Sequence, residues 1–575
     1  MTHLESGPSG TARRERYAWL AHYPEGVDWH RTYTPQPLFK LLDDAAAQHP
    51  DNICTNFLGR TRSYLEIAGD VDKAAAGLAA AGVSKGSKIG LMLPNCPTFI
   101  VYYFATLKLG ATVVNYNPLY SVPELKRQVE DSETEIMVTL DLKTLFDKVE
   151  ALVAEGVLAR AVICSFTGLL PPAKAVLFRL LKSREIASPA RSQVAAKLIP
   201  EGRLLEQGRG YQRPEIDPNT DVAVLQYTGG TTGTPKGAML SHANLYINAQ
   251  QVIDWAPKLK HGEERVLAVL PFFHVFAMTV VMNFAVARAA EMVLMPRFVL
   301  EDLMKLLHKT RPTVMPGVPT LFNAIIHHPR LANFDLSSLK FCISGGAALP
   351  HDVKTRFQKL TGCRLVEGYG LSEASPVVTS SPVEGPGKEG SIGQPLPQTV
   401  VSLRDLDDPT QEVPRGEKGE LCVRGPQVMQ GYWHQPEASA QTFVDGYLRT
   451  GDVAIMDEEG YFFIVDRIKD LIIASGYNIY PRQIEEAIYE HPEVEEATVI
   501  GIKDDYRGEA PKAFIKLRRG AEVSKQDMMD HLAARLSKIE LPAQIEFRSE
   551  LPKTLIGKLS KKELKEEEAT RRSEG

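Results

Sequence analysis

Tyr227-Thr228-Gly229-Gly230-Thr231-Thr232-Gly233-Thr234-Pro235-Lys236-Gly237 packs four threonine hydroxyls, four glycines and one lysine into eleven residues. The apolar run before it, Val222-Ala223-Val224-Leu225, has the length and β-branched content of a buried strand. After it, Ser241 is placed to cap a helix reaching Trp255, with Leu245, Ala249 and Val252 at helical spacing. The expectation is therefore strand, loop, helix, an arrangement that holds an anion with backbone N–H groups. The threonines add hydroxyl donors and Lys236 a positive charge. No register supplies the Gly-Lys-Ser/Thr ending of a Walker A loop. The alternative is a flexible Gly/Thr linker, but Pro-Lys-Gly directly before a capped helix argues for a phosphate loop.

Outward from this loop the chain alternates helix and strand signals. Toward the N-terminus, a helix is expected over 35–50 with Leu38, Leu41, Leu42 and Ala45 facing in, and an alanine-rich helix in 61–81. Strands are expected over 88–94 and 111–116, with a helix over 99–110 between them. Toward the C-terminus, 312–322, 339–346 and 364–373 read as strand-loop units, and 400–431 as a small β-rich region. After Asp470 the pattern restarts with its own strands and helices, a second domain of ordinary size. Alternation of this kind implies an α/β fold with covered sheets. Residues 201–218 read as a linker and 561–575 as a solvated tail.

With 575 residues the chain is too long for one core, and its 44% hydrophobic and 24% charged content is that of a soluble globular protein. A net charge of −5 gives no reason to expect a nucleic-acid partner. Six scattered cysteines without Cys-x-x-Cys spacing argue against a disulfide framework or zinc site and fit a reducing cytoplasm. Arg13, Arg14 and Arg16 are followed by no apolar core, so no signal peptide is expected. Residues 266–287 contain no Asp, Glu, Lys or Arg, yet Pro271, His274 and Asn283 interrupt them, which favours a buried segment over a membrane span. In 171–184, Lys174, Arg179, Lys182 and Arg184 surround Val176, Leu177, Phe178, Leu180 and Leu181. Such a helix either lies on an anionic membrane or packs on its own domain.

Further motifs carry chemistry. Glu367-Gly368-Tyr369-Gly370-Leu371-Ser372-Glu373 combines an aromatic suited to stacking on a purine, glycines that admit close approach, a hydroxyl and an acid suited to Mg²⁺. Thr450-Gly451-Asp452 offers a carboxylate for two ribose hydroxyls. Asp466-Arg467-Ile468-Lys469-Asp470 is a charged segment where one domain stops. Leu551 to Lys558 ends in a Gly-preceded lysine. Each motif alone also reads as an ordinary turn or a solvated charge.

Taken together and in this order, from Tyr17-Ala18-Trp19-Leu20 to Lys558, these motifs resemble the adenylate-forming superfamily, most closely bacterial long-chain fatty acyl-CoA synthetases. The resemblance implies a large domain, 1–468, of two α/β subdomains plus a β-barrel-like subdomain. A small mobile α+β domain, 469–575, follows. It implies fatty acid, ATP, Mg²⁺ and coenzyme A, reacting through an acyl-adenylate. Thr228 and Glu373 would position Mg²⁺, and Thr231, Thr232 and Lys236 would surround the departing phosphates. Tyr369 with Gly345 and Gly346 would flank the adenine; Glu367, Gly368 and Gly370 would be cofactor-binding, with Ser372 on phosphate. Asp452 would hold the ribose, Arg467 would contact ribose or phosphate, and Lys469 would be the pivot. Lys558 would bridge the acyl carboxylate and α-phosphate, and Gly476 would line the thiol tunnel. His274 and Phe276 would border the acyl pocket with Val318; for His274 a core role is the alternative. Ile468 departs from the family's basic residue. The resemblance also admits a homodimer and peripheral attachment to the inner face of the membrane. The rivals are a medium-chain or aromatic acid–CoA ligase, an acyl-AMP ligase serving a carrier protein, and a non-catalytic binder on the same scaffold.

Overall fold

The computed structural model describes residues 17–228, 235–385, 387–474, 477–504, 507–554 and 559–574. Thr231, Thr232, Gly476 and Lys558 lie outside the described residues.

Two mostly parallel sheets dominate. One runs in the order 198–200, 160–164, 136–140, 88–91, 112–115, 222–228, 236–241. The other runs 394–395, 377–380, 364–370, 341–345, 314–317, 265–268, 291–294, 53–57, 60–63. Their strands read as unbroken apolar runs because helices cover both faces. Ile136–Leu140 is buried throughout, and so is Phe341–Gly345. Pro97–Lys108 has every residue buried, as a helix between two such layers must. Its Lys108 is tolerated at 1% exposure because Asp43 and Asp72 both pair with it, at 2.9 and 2.7 Å.

A third sheet, of antiparallel pairs, is built from Val400–Arg404, Gly419–Arg424, Phe443–Val444, Tyr447–Met456 and Phe462–Arg467. The β-rich region thus continues well past residue 431. The last sheet, from Ile472–Ala474 to Gln544–Phe547, is separate and packs on Pro481–Tyr489 and Lys525–Ala533 around its own buried cluster. The large cluster, by contrast, ends at Phe462. The smaller part meets the larger through Arg518 with His327 and through Lys418 over the Tyr480 ring, 3.8 Å from its centroid.

Four sequence expectations change. Between Tyr227 and Ser241 the chain makes a hairpin rather than strand-loop-helix: Lys236–Ser241 is a strand antiparallel to Val222–Thr228. Ser241 still caps His242–Trp255, in a capping box with Asn244. A whole strand, Lys236–Ser241, therefore separates the Gly/Thr segment from the helix N-terminus. The helix expected over 35–50 begins only at Lys40, although Leu38 before it is fully buried. The expected linker begins with the helix Glu201–Gln207, whose Leu204 is buried. The expected solvated tail is the helix Lys561–Glu574. Leu564 anchors it beside Ile500, Phe514 and Leu551. Its charges are spent on ion pairs, Lys561–Glu485, Lys565–Asp470 and Glu568–Lys512 among them.

The uncharged segment 266–287 is buried as expected: a strand, a short helix, then the π-helix Met278–Asn283. No helix among the described residues is long and apolar enough to cross a membrane. All six cysteines are free and buried.

Candidate active site

The predicted site residues come from separate stretches that converge where the strands end. Thr228 and Lys236 are the opposed residues that close the described part of the hairpin. They hold the two ends of the Gly/Thr loop, and both are half-buried. The Lys236 ammonium stands 5.0 Å from the centre of the Tyr432 ring. The Tyr432 hydroxyl donates to Glu373 Oε1 at 2.8 Å. Lysine, aromatic ring and acid thus form a continuous chain of contacts that joins the hairpin to the Ser372–Ala374 turn.

Tyr432 was not singled out by motif. It occupies this place because 428–433 runs alongside the hairpin: the Met239 N–H donates to the Gly431 carbonyl and the Trp433 N–H to the Gly237 carbonyl. Burial and the Glu373 carboxylate push its phenol well up, so it stays protonated and donates. Nothing in the local composition around Tyr432 marks it; the Met429 N–H donating to the Glu373 carbonyl is a tertiary fact.

A second cluster holds Tyr369, Asp452 and Arg467. The Tyr369 hydroxyl donates to Asp452 Oδ2 at 2.6 Å, and Arg467 Nε approaches Asp452 Oδ1 at 3.1 Å. Register explains the second contact, because Asp452 and Arg467 face each other across neighbouring strands. Asp452 is 7% exposed, so its charge is compensated inside the fold. Burial and the adjacent Asp452 raise the Tyr369 phenol well above its usual range. The Asp452 carboxylate in turn raises Arg467 further. The hinge segment continues into the short helix Ile468–Asp470, where burial first, and then the Arg467 charge, lowers the Lys469 ammonium.

The glycines line the gap between these clusters. Gly345 and Gly368 are register partners at the ends of adjacent parallel strands, and Gly346 turns with φ +81°. A Cβ on Gly370 would fall 1.9 Å from the Pro376 carbonyl oxygen, so no side chain is admitted there. Glu367, 6% exposed, accepts from the Leu349 N–H, and burial pushes its carboxyl up to about 7. It faces Arg482 and Glu486 of the smaller part and Lys354 of the larger.

On the other side of Gly345 stands Phe276. A Cβ on Gly345 would lie 3.0 Å from the Phe276 ring. His274 is a half-exposed cap whose Nδ1 accepts from the Phe276 N–H at 3.3 Å, so the geometry assigns it the start of Val275–Ala277 rather than a core position. Val318, 6% exposed, precedes the helix Pro319–Ile326. On the same face of the 341–345 strand, Ile343 and Phe341 line a small apolar cavity of about 20 Å³. Val280 of the π-helix is among its lining residues. The walls are apolar apart from Ser380, whose hydroxyl is turned to the Ser381 carbonyl. A π-helical turn widens the helix locally and recurs at functional sites.

The loop that ends in Lys558 is held at its root, where Lys553 bridges to Leu559 and pairs with Glu496 at 2.6 Å. Among the described residues, no cluster of three or more His, Cys, Asp or Glu could hold a metal on its own.

Residues 42–433 match the AMP-binding enzyme family, and residues 483–558 match the AMP-binding enzyme C-terminal domain. A long-chain-fatty-acid–CoA ligase of Bacillus subtilis (strain 168) is 42% identical over 550 residues, which cover 96% of this chain and 98% of that protein. One of the same name from Yersinia pestis is 36% identical over 564 residues, with the same coverage. Among solved structures, ATP-bound MatB from Rhodopseudomonas palustris superposes with a TM-score of 0.80 at 29% identity, covering 93% of this chain and 99% of that one. On sequence over nearly its whole length, and on a fold that gathers the motifs at one sheet end, this chain belongs to the AMP-binding enzyme family.

Proposed function

We propose that the protein is a long-chain fatty acid–CoA ligase. It converts a fatty acid and ATP to an acyl-adenylate and pyrophosphate, and then exchanges AMP for the thiol of coenzyme A. The observation that supports the acid class is the 42% identity, over 96% of this chain, to a long-chain-fatty-acid–CoA ligase, together with an apolar cavity lined by Ile343 and Phe341 on the strand face they share with Gly345. A carboxylate at Phe276 would have its alkyl chain in hydrocarbon surroundings, gaining about 0.8 kcal/mol per buried methylene.

The first step forms a bond from a carboxylate oxygen to the α-phosphorus and breaks the bond to the β-phosphate bridge. It brings anions together and needs charge stabilisation rather than an acid–base pair. Lys236 and the threonine loop supply donors to the leaving pyrophosphate. Asp452 accepts from the ribose hydroxyls once Tyr369 yields it, and Arg467 balances that carboxylate. Lys558, from its loop beyond Lys553, neutralises the carboxylate as it meets the α-phosphate. Thr228 and Glu373 offer a hydroxyl and a carboxylate, hard oxygen donors that suit Mg²⁺ shared with phosphates. Such an ion would supply Lewis-acid neutralisation at the phosphates. In the second step a thiolate attacks the acyl carbon and AMP leaves. The thiol, of ordinary pKa near ~8.5, requires no strong base against so activated an acyl group.

Residues 1–468 and 469–575 are then the body and the lid, pivoting at Lys469. The Arg482 N–H donating to Asp466 at 2.8 Å is one of the contacts a pivot exchanges.

Peripheral attachment is supported by Pro172–Leu181. Phe178 packs edge-on against Phe166, Lys174 donates to the Leu58 carbonyl and Arg179 to Thr167. Val176, Leu177, Leu180 and Leu181 are left 55–75% exposed in one stripe. We assign that stripe to an anionic bilayer surface, with Arg184 beside it. L177E/L180E/L181E is expected to abolish flotation with anionic vesicles; unchanged flotation overturns the assignment.

The reaction itself is tested by following AMP, pyrophosphate and thioester with palmitate, with and without coenzyme A. Thioester formation from palmitate supports the reading. Turnover confined to aromatic acids, or adenylate that accumulates without passing to coenzyme A, contradicts it.

A further inference from the structure

The cavity beside Ile343 has a direction, and the strand registers give it. On the 341–345 strand, Gly345 faces Phe276 at the nucleotide end, whereas Ile343 and Phe341 lie progressively deeper on the same face. Four residues of strand span about 13 Å. Across the 314–317 strand, Pro316 and Val314 line the cavity in the same sense, since Val314 pairs with Phe341 and Pro316 with Ile343. The deep end is therefore the end at Phe341 and Val314. The last turn of His242–Trp255 contributes Trp255, and Ala256 follows it.

Trp255 is fixed from three sides. Its Nε1–H donates to the buried Ser381 carbonyl at 3.0 Å. The Tyr23 ring meets it edge-on, with centroids 5.4 Å apart and planes at 76°. Behind it the buried Arg288 guanidinium donates to the carbonyls of Ile253, Ala256 and Leu259, closing the C-terminal turn of the helix. Unpaired carbonyls at a helix end need such partners. Arg288 is 5% exposed and has no ion pair among the described residues, so its role is to brace this turn. A flexible leucine in such a place would give way to a longer chain; a tryptophan held by a hydrogen bond, an aromatic contact and a braced backbone does not.

We propose that Trp255 is the floor of the acyl cavity and sets the longest fatty acid the enzyme accepts, with Arg288 acting as a positioning residue behind it. The proposal rests on the reading that the acyl chain occupies this cavity, and the experiment separates the two. The quantity measured is the ratio of kcat/KM for behenate to that for decanoate, in which any change in the folded fraction cancels. W255L is expected to raise the ratio roughly tenfold or more, because each methylene admitted to or refused by an apolar pocket changes selectivity about tenfold. A256L, which adds volume at the same end, is expected to lower it. V280F, which adds a ring to the cavity wall, is expected to lower the palmitate-to-decanoate ratio. If V280F leaves that ratio unchanged, the chain does not lie in this cavity and the underlying reading fails. If V280F lowers it while W255L leaves the behenate-to-decanoate ratio unchanged, the floor assignment alone is overturned. R288M is expected to broaden the length profile while leaving the KM for ATP as it was; a uniform fall for all acids would make Arg288 merely structural.

Discussion

The two ends of the Phe341–Gly345 strand are four residues apart and chemically opposite. Gly345 pairs with Gly368, next to Tyr369, which opens the hydrogen-bonded set Tyr369, Asp452 and Arg467. At Phe341 the surroundings are Val314, Trp255 and the packed interior of the large cluster. In the proposed reading, one end stabilises charge whatever the acid carries, and the other measures the acid. The proposed reading therefore assigns reaction and specificity to separate groups, with the Phe276 ring against the Gly345 backbone between them. Substitutions at one end should therefore leave the signature of the other intact.

The largest expected effect is at Lys558. K558A should lower adenylation of every fatty acid by about 10²–10³, the range for removing a donor from developing charge. Thioester formation from supplied acyl-adenylate should persist. A chain-length-dependent loss would break the separation. Next is I343W, which fills the cavity two residues in from Gly345. It should reduce kcat/KM for palmitate by about 10–200-fold relative to decanoate, while the KM for ATP stays put. Y432F should be milder. Loss of one hydrogen bond to a charged acid, taken at the low end of about 1.5–3 kcal/mol because Tyr432 is only half-buried, lowers turnover roughly tenfold for all acids alike. Rescue by no particular chain length distinguishes it from a cavity effect.

The last expected effect is on stability rather than on turnover. The Glu367 carboxyl is raised from the usual range to about 7 by burial, so the folded state holds a proton that the unfolded state has already lost. Its contribution is fully present below about 4.5 and is lost as pH rises through about 7, a change of roughly 3 kcal/mol. E367Q should flatten the decline of stability over that window, measured by urea unfolding at several pH values. Identical slopes for the two proteins would contradict the assignment.

The polar end was legible in the sequence because its chemistry depends on residue types at fixed local spacing. Tyr369, Glu373, Asp452 and Arg467 announce themselves, and the fold brings the first, third and fourth into contact. Tyr432 was missed because its position beside Glu373 comes from a segment laid along the hairpin, 59 residues away in the chain. The hairpin is not legible in the sequence: Lys236–Ser241 is too short and mixed in composition to show alternation, whereas the cap at Ser241 is a strong local helix signal. The apolar end was visible only as an uncharged run, 266–287. Its floor could not be read, since Trp255 looks like any helix-terminal aromatic until Ser381, Tyr23 and Arg288 are found around it. The C-terminal helix was taken for a tail because its one apolar anchor, Leu564, is outnumbered by charges whose partners lie elsewhere in the chain.

The most direct measurement is a crystal structure with a non-hydrolysable palmitoyl-adenylate analogue. The account predicts ribose hydroxyls on Asp452, the acyl linkage beside Gly345 and Phe276, and the alkyl chain running past Ile343 and Val280 toward Trp255. An alkyl chain leading to solvent or to another part of the fold, with the cavity beside Ile343 left empty, would contradict it.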